Sequence, residues 1–340
     1  MSVESEITRI NGAVTEQTAL IQEISGILDG KVQSSAIKSL IERTVSEFVI
    51  PEGVQKIGSD AFYQCENLTD VKFPNSIEMI GDGAFGGCIE LRMNELPETI
   101  TSIGTGAFSR CAKINPSSLP KNVTVIETGT FNECTGMTLA KLPDGITELG
   151  TSCFTGCTAL ALTSLPNGIT NIGNSAFAGC TQLALTQLPQ GITEINSNVF
   201  RNCINIKLTE LPSGITKIGS NAFYGCEGIS LRELPDKLTN IGGIAFYGCT
   251  KLTRIWISKN CTTISASSYS NAPFYKCANL KDIYTDATEK PSGWGKYFNY
   301  IDSGKQATIH YGVSKSEYHS LPGYDTVSYT HLTLPTTERV

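Results

Sequence analysis

Histidine is almost missing from this sequence. Its 340 residues include three, His310, His319 and His331, so everything before position 310 lacks the commonest general base. That absence argues against conventional acid–base catalysis, and no catalytic residue is assigned. Charge is also sparse, at 17% of residues against roughly a quarter in ordinary domains. The formal net charge of -6 leaves no basic footprint for counterion release, which argues against nucleic acid as a partner. No run approaches the ~18 apolar residues of a membrane span. The opening residues Met1 to Glu6 lack the basic start and apolar run of a secretory signal, which predicts a chain made in the cytoplasm and not exported by that route. Cysteine is plentiful at 12, yet no C-x-x-C pair occurs, and zinc needs clustered ligands. No G-K-[ST] follows a glycine-rich stretch such as Gly81-Asp82-Gly83 or Gly242-Gly243, so these are not phosphate loops. Neither metal nor cofactor is predicted.

What is present is a repeat. Cysteine recurs at 65, 88, 111, 134, 157, 180, 203, 226 and 249, every interval 23, and then at 277 after an interval of 28. A phenylalanine stands three residues before each, from Phe62 to Phe274. Proline keeps the same beat from Pro51 to Pro235, followed by an aliphatic at +3 (Val54, Ile77, Ile169) and another at +6 (Ile57, Ile80, Leu149). One turn reads P-x-x-[IV]-x-x-I-G-x-x-A-F-x-x-C-x-x-L. Such a turn cannot bury its apolar side alone and does so by stacking on its neighbours, which predicts a solenoid of about ten turns. The proline ends a short parallel strand, the glycine behind the +6 aliphatic is expected to bend the chain at positive φ, and Ala-Phe is expected to open a short helical turn.

The A-F-x-x-C-x-x-L and P-x-x-[IV]-x-x-I-G segments resemble the BspA-like leucine-rich repeat, over roughly residues 47–285. The resemblance implies a fold of short parallel strands and short helical turns. It also implies a binding or display protein of bacterial surfaces, phages or parasitic protists. One departure stands out. The pattern L-x-x-[IV]-x-[IL]-P fits Leu68, Val71 and Phe73, but the middle repeats read L-x-L-T-x-L-P, as in Leu160 to Pro166. Either the strand is bulged there, or a row formed by Leu139, Leu162, Leu185, Leu208 and Leu231 faces outward.

The regular cysteines, with the off-period Cys153 and Cys261 at inward slots, read as buried reduced thiols acting as small apolar side chains. Free thiols in this number fit assembly in a reducing compartment. The +4 threonines, from Thr101 to Thr262, read as β-branched residues on the solvent side of a strand.

Outside the repeats, Val3, Ile7, Ile10, Val14, Gln17, Ile21, Ile24 and Leu28 keep a heptad register over residues 1–30. Two readings apply. A coiled-coil seam over residues 3–28, with β-branched residues at both core positions, predicts a homotrimer. An amphipathic helix docked on the first repeat is supported by Ala13, Leu20 and Ile27, which widen the apolar stripe beyond a narrow seam. A second helix over 31–46, with Ile37, Leu40, Ile41 and Val45, is expected to cap the solenoid. The opening residues also resemble helical leaders of tail-associated proteins in phages and prophages of gut bacteria. Residues 286–326 are expected to form an aromatic-rich C-terminal cap, or else a ligand platform: both tryptophans, Trp256 and Trp294, and nine of the twelve tyrosines lie late in the chain. Residues 327–340 resemble a translated sequencing adapter and are expected to be non-native or disordered.

The expected function is non-catalytic. Residues flanking the inward aliphatics form a row from Lys72 and Glu95 through Glu210 and Glu233 to Trp256 and Tyr284. With an outward leucine stripe beside it, this row predicts a protein or polysaccharide partner towards its C-terminal end. The carrier is a phage or prophage tail, with a virion-associated location, or alternatively a bacterial cell-surface adhesin.

Overall fold

The computed structural model describes residues 46–322 and 324. The heptad of residues 3–28, residues 31–45 of the expected capping helix and the tail 327–340 lie outside the described residues. The rest is a solenoid of about eleven turns with a repeat near 23 residues.

Each turn has three sides. The +5 and +6 residues make a two-residue parallel rung, with Ile57 paired to Ile80 and Ile80 to Ile103 in a shift of one repeat. The +6 side chain points inward and is buried in every rung, while its neighbour faces out. The +4 threonines lie outside. Several of their hydroxyls donate to the carbonyl of the preceding rung, as Thr147 does to Thr124 at 3.3 Å and Thr239 to Thr216 at 3.0 Å.

The A-F-x-x-C side contains no helix. Amides alternate between two acceptors: Tyr63 N donates to Asp60 O within the turn at 3.0 Å, and Phe62 N to Ala84 O of the next turn at 2.7 Å. Every second amide is thus taken by the neighbouring turn, so the i→i+4 bonds of an α-helix cannot form. Asp60 and Gln64, at φ 56° and 57°, supply the left-handed residues between. Among the described residues the one α-helix is Lys315–His319, capped by Ser314 with Glu317 in a reciprocal capping box.

The phenylalanines form the core column. From Phe62 to Phe274 consecutive rings lie 5.0–5.8 Å apart and within 13° of parallel. Beside them all twelve cysteines are buried and none is in a disulfide.

The glycine behind the +6 aliphatic does not bend the chain at positive φ. Gly81, Gly104, Gly150, Gly173, Gly219 and Gly242 are absent from the left-handed region. They are needed for closeness: a Cβ at Gly104 would meet Asp82 N at 2.7 Å and one at Gly173 would meet Thr151 N at 2.5 Å, both in the preceding turn.

The Leu-Pro side is a regular ladder only near the ends of the described solenoid. Glu47–Val49 pairs with Asp70–Lys72, and Arg254–Trp256 pairs with Asp282–Tyr284, which pairs with Thr308–His310. Of these, the strands at Val71, Ile255 and Ile283 belong to turns of the L-x-x-[IV] pattern. In the L-x-L-T-x-L-P turns no strand forms, and a single backbone bond joins successive turns from Leu162 to Leu231, such as Ala184 N to Leu162 O at 3.0 Å.

Candidate recognition face

The displaced leucines settle into the core. Leu139, Leu162, Leu185, Leu208 and Leu231 are each at most 3% exposed, so of the two readings the bulge holds and the outward apolar stripe does not exist. The chain bulges to bring both leucines of L-x-L inward, because leaving one of them outside on every turn would expose a continuous apolar strip. The bulge gives up the strand. In its place each middle turn presents two adjacent outward residues between buried ones: Ser117-Ser118 between Pro116 and Leu119, and Ala140-Lys141, Thr163-Ser164, Thr186-Gln187 and Thr209-Glu210 between leucines, all exposed.

The backbone of these pairs is open as well. Among the described residues, the amides of Thr163, Ser164, Thr186 and Gln187 donate to no backbone acceptor. The outward pairs Thr163-Ser164 and Thr186-Gln187 therefore offer N–H groups, hydroxyls and one carboxamide without charge, with Asp144 beside Lys141 and exposed Lys207 bounding them. Such a surface hydrogen-bonds neutral polar polymers and gives no purchase to a strongly charged one. The repeat register points to one residue of each pair, whereas the open backbone follows from the bulge and has no signal in the residue pattern.

Towards the N-terminal end the face deepens into a cleft of about 820 Å³ where the regular ladder gives way to the first bulged turn. Asp70, Lys72, Arg92, Asn94 and Glu95 line it, with half-buried Phe73 at its floor. Lys72 is paired with Asp70.

At the other end the expected hot spots are covered. Trp256 is 3% exposed. Its indole Nε1 donates to Val313 O at 3.4 Å, and Lys315 Nζ lies 5.2 Å from the ring centroid. Tyr284 is half-buried, stacked on His310 at 4.4 Å and tilted against Tyr318 at 5.1 Å. Glu233 receives His319 Nε2 at 2.8 Å and Lys315 Nζ at 3.4 Å. Asp236 takes a further bond from Lys315 at 3.0 Å. Burial opposes the charge of Lys315, but Asp236 and Glu233 outweigh it and hold its pKa above the ordinary lysine value. Tyr318 is buried, which pushes its phenol pKa up, and its hydroxyl donates to Arg232 O at 2.6 Å. Residues 313–322 and 324 thus form a strap across the last turns. Glu233, Trp256 and Tyr284 seat that strap and are not a free binding surface, whereas Glu210 stays exposed beside a recess of about 360 Å³ next to Lys315.

Among the described residues no group of His, Cys, Asp and Glu has the placement to hold a metal ion, and no helix is long and apolar enough to cross a membrane.

Comparison with known proteins places this architecture. No curated protein matches the chain. Among solved structures, the pneumococcal vaccine antigen PcpA is similar at 22% identity and a TM-score of 0.50, over 72% of this chain and 69% of that one. A leucine-rich repeat protein from Bacteroides ovatus is 23% identical over 79% of this chain and 84% of that one, with a TM-score of 0.36. A leucine rich cell surface protein from Faecalibacterium prausnitzii is 23% identical over 76% and 91%, with a TM-score of 0.39. The model of the BspA type leucine rich repeat region matches in six copies across residues 38–161 and 152–281. With most of its length matched and the repeat visible in its stacked Phe column, the chain belongs to the BspA-type leucine-rich repeat family.

Proposed function

We propose that the chain is a non-catalytic recognition rod of a phage or prophage tail, and that its central face binds a neutral polysaccharide of a bacterial surface. The observation that carries this reading is the uncharged run of hydroxyls and open amides from Thr163 to Gln187. Sugar hydroxyls both donate and accept, and they match a face on which donors and acceptors alternate at the spacing of the turns. The heptad of residues 3–28 belongs to the same proposal, as the element that gathers three rods so that weak single-site affinities multiply. Light scattering on the intact chain is expected to give a trimer, and a monomer at micromolar concentration removes that part.

The second reading is a bacterial cell-surface adhesin with a host protein or glycan as its partner. The identity of neighbouring genes separates the two: tail and lysis genes support the first, cell-wall and secretion genes the second.

The direct test is binding of the full chain to isolated bacterial envelopes and to polysaccharide extracted from them. A double variant, Ser164→Asp with Gln187→Asp, puts charge on the centre of the face without touching the core. It is expected to weaken binding about tenfold or more at unchanged Tm, since each desolvated charge left unpaired costs over 1 kcal/mol. Unchanged binding overturns the site. Binding that survives removal of polysaccharide and is lost with envelope protein replaces the glycan by a protein partner.

A further inference from the structure

The rungs are not continuous. Their pairing forms three separate sheets: Lys56–Ile57 to Ser102–Ile103, Val125–Ile126 to Asn171–Ile172, and Glu194–Ile195 to Thr263–Ile264. The two interruptions fall where the glycine behind the +6 aliphatic is replaced, by Glu127 in one turn and by Asn196 in the other.

The cause is steric. Where glycine is present, its amide donates to the +6 carbonyl of the preceding turn, as Gly104 does to Ile80 at 2.8 Å and Gly173 to Leu149 at 2.7 Å. That approach leaves no room for a Cβ. One built on Gly81, Gly150, Gly219 or Gly242 would lie 2.4–2.7 Å from the nearest backbone nitrogen of the turn before it. A glutamate or asparagine at the same place holds the two turns apart. The amides of Glu127 and Asn196 accordingly lack this bond, and so do those of Thr124 and Thr193 in the same rungs. At the second gap the Asn196 side chain bridges the space instead, its Nδ2 donating to Ile172 O at 2.8 Å. Ser265 is the informative exception. It pairs with Ile241 at 2.9 Å although it is not glycine, and it begins the five inserted residues that replace the regular bend.

The opposite side of the solenoid stays bonded across both gaps. Phe108 N donates to Thr130 O at 2.9 Å and Arg110 N to Asn132 O at 2.6 Å across the first. Phe177 N donates to Val199 O at 2.9 Å and Gly179 N to Arg201 O at 2.7 Å across the second. The Phe column is unbroken there too, at 5.6 Å between Phe108 and Phe131 and 5.8 Å between Phe177 and Phe200. An intact row on one side and an open one on the other is the arrangement of a hinge and its gap.

We propose that Glu127 and Asn196 are two built-in hinges that divide the rod into three blocks and let its curvature change without disturbing the core. The exposed pairs from Ser117 to Glu210 run across both, so a polymer laid along several turns meets a surface whose blocks can tilt to follow it.

Hydrogen exchange on the full chain tests the hinges separately from any binding. Glu127→Gly is expected to close the first gap and slow exchange at positions 124 and 127 by roughly fivefold or more, the worth of one recovered hydrogen bond, while leaving 193 and 196 unchanged. Asn196→Gly is expected to do the reverse. Gly150→Asn is the reciprocal variant: it is expected to open a new gap and speed exchange at positions 147 and 150. Unchanged exchange at 124 and 127 in Glu127→Gly, or at 147 in Gly150→Asn, overturns the proposal, because the replaced glycine would then not control the pairing.

Discussion

The Sγ of Cys180 donates to the carbonyl oxygen of Phe154 at 3.0 Å. The same bond runs from Cys157 to Phe131, from Cys203 to Phe177 and from Cys226 to Phe200, at 2.9–3.0 Å. Each thiol is thus a satisfied donor on the Phe column, shut away from water. Burial pushes the thiol pKa up, to about 12 for Cys111, Cys157, Cys261 and Cys277.

Thiolates are therefore scarce in the folded chain at neutral pH. A thiol reagent is expected to modify few cysteines in the native protein and nearly all twelve after denaturation. Rapid native modification of most of them contradicts the burial.

The same thiols set an alkaline limit. Their ordinary value is 9.0, and in the fold they keep protons that the unfolded chain releases above it. Their stabilisation is complete below pH 9 and, by this sign, lost as pH rises towards about 12. Each buried thiol costs about 1.4 kcal/mol per pH unit in that window, so several together exceed a typical total stability within about two units. Tm is expected to fall steeply from pH 9 to 11, and less steeply in Cys203→Ala. A Tm flat across that range contradicts it.

Phe177 lies between Phe154 at 5.6 Å and Phe200 at 5.8 Å and is fully buried. Phe177→Ala is expected to cost ~3–5 kcal/mol in denaturant unfolding, with hydrogen exchange rising first in the adjacent turns because repeats couple to their nearest neighbours. A cost below about 1 kcal/mol would show that the column is not the core.

The strap is held by the buried Tyr318 side chain, by hydrogen bonds such as Arg254 to Pro322 O and Val313 N to Thr285 O, and by half-exposed ion pairs that contribute little singly. Tyr318→Ala is expected to release it and expose Trp256, seen as stronger acrylamide quenching and a red-shifted emission. Trp294 serves as the internal reference, buried with its Nε1 bonded to Cys261 O. Quenching like that of the parent chain would mean that the strap is seated by other contacts.

The Phe, Cys and +6 aliphatic positions were legible from period alone, since a residue type that recurs once per turn on an apolar slot has nowhere to go but inward. The leucine shift was visible but not its direction, because a one-residue displacement suits either a bulge or an exposed stripe. Burial of Leu162 and Leu185 decides it. The glycine behind Ile80 was assigned to a bend because the repeat carries no information on the distance between turns. Its role is set by Ser59 N, 2.7 Å from where a Cβ would stand. Trp256 looked like the end of an open row because its cover arrives from Val313 and Lys315, far along the chain and outside any repeat. Glu127 and Asn196 went unmarked in the sequence, because their effect on pairing shows only in the hydrogen bonds of neighbouring turns.

Hydrogen exchange of the full chain with and without bacterial envelope polysaccharide is the most direct measurement of whether the central face is the recognition surface. Slower exchange at the open amides of Thr163, Ser164, Thr186 and Gln187, with the A-F-x-x-C side unchanged, is the predicted result. Protection confined to the A-F-x-x-C side, or none at saturating polysaccharide, would contradict it.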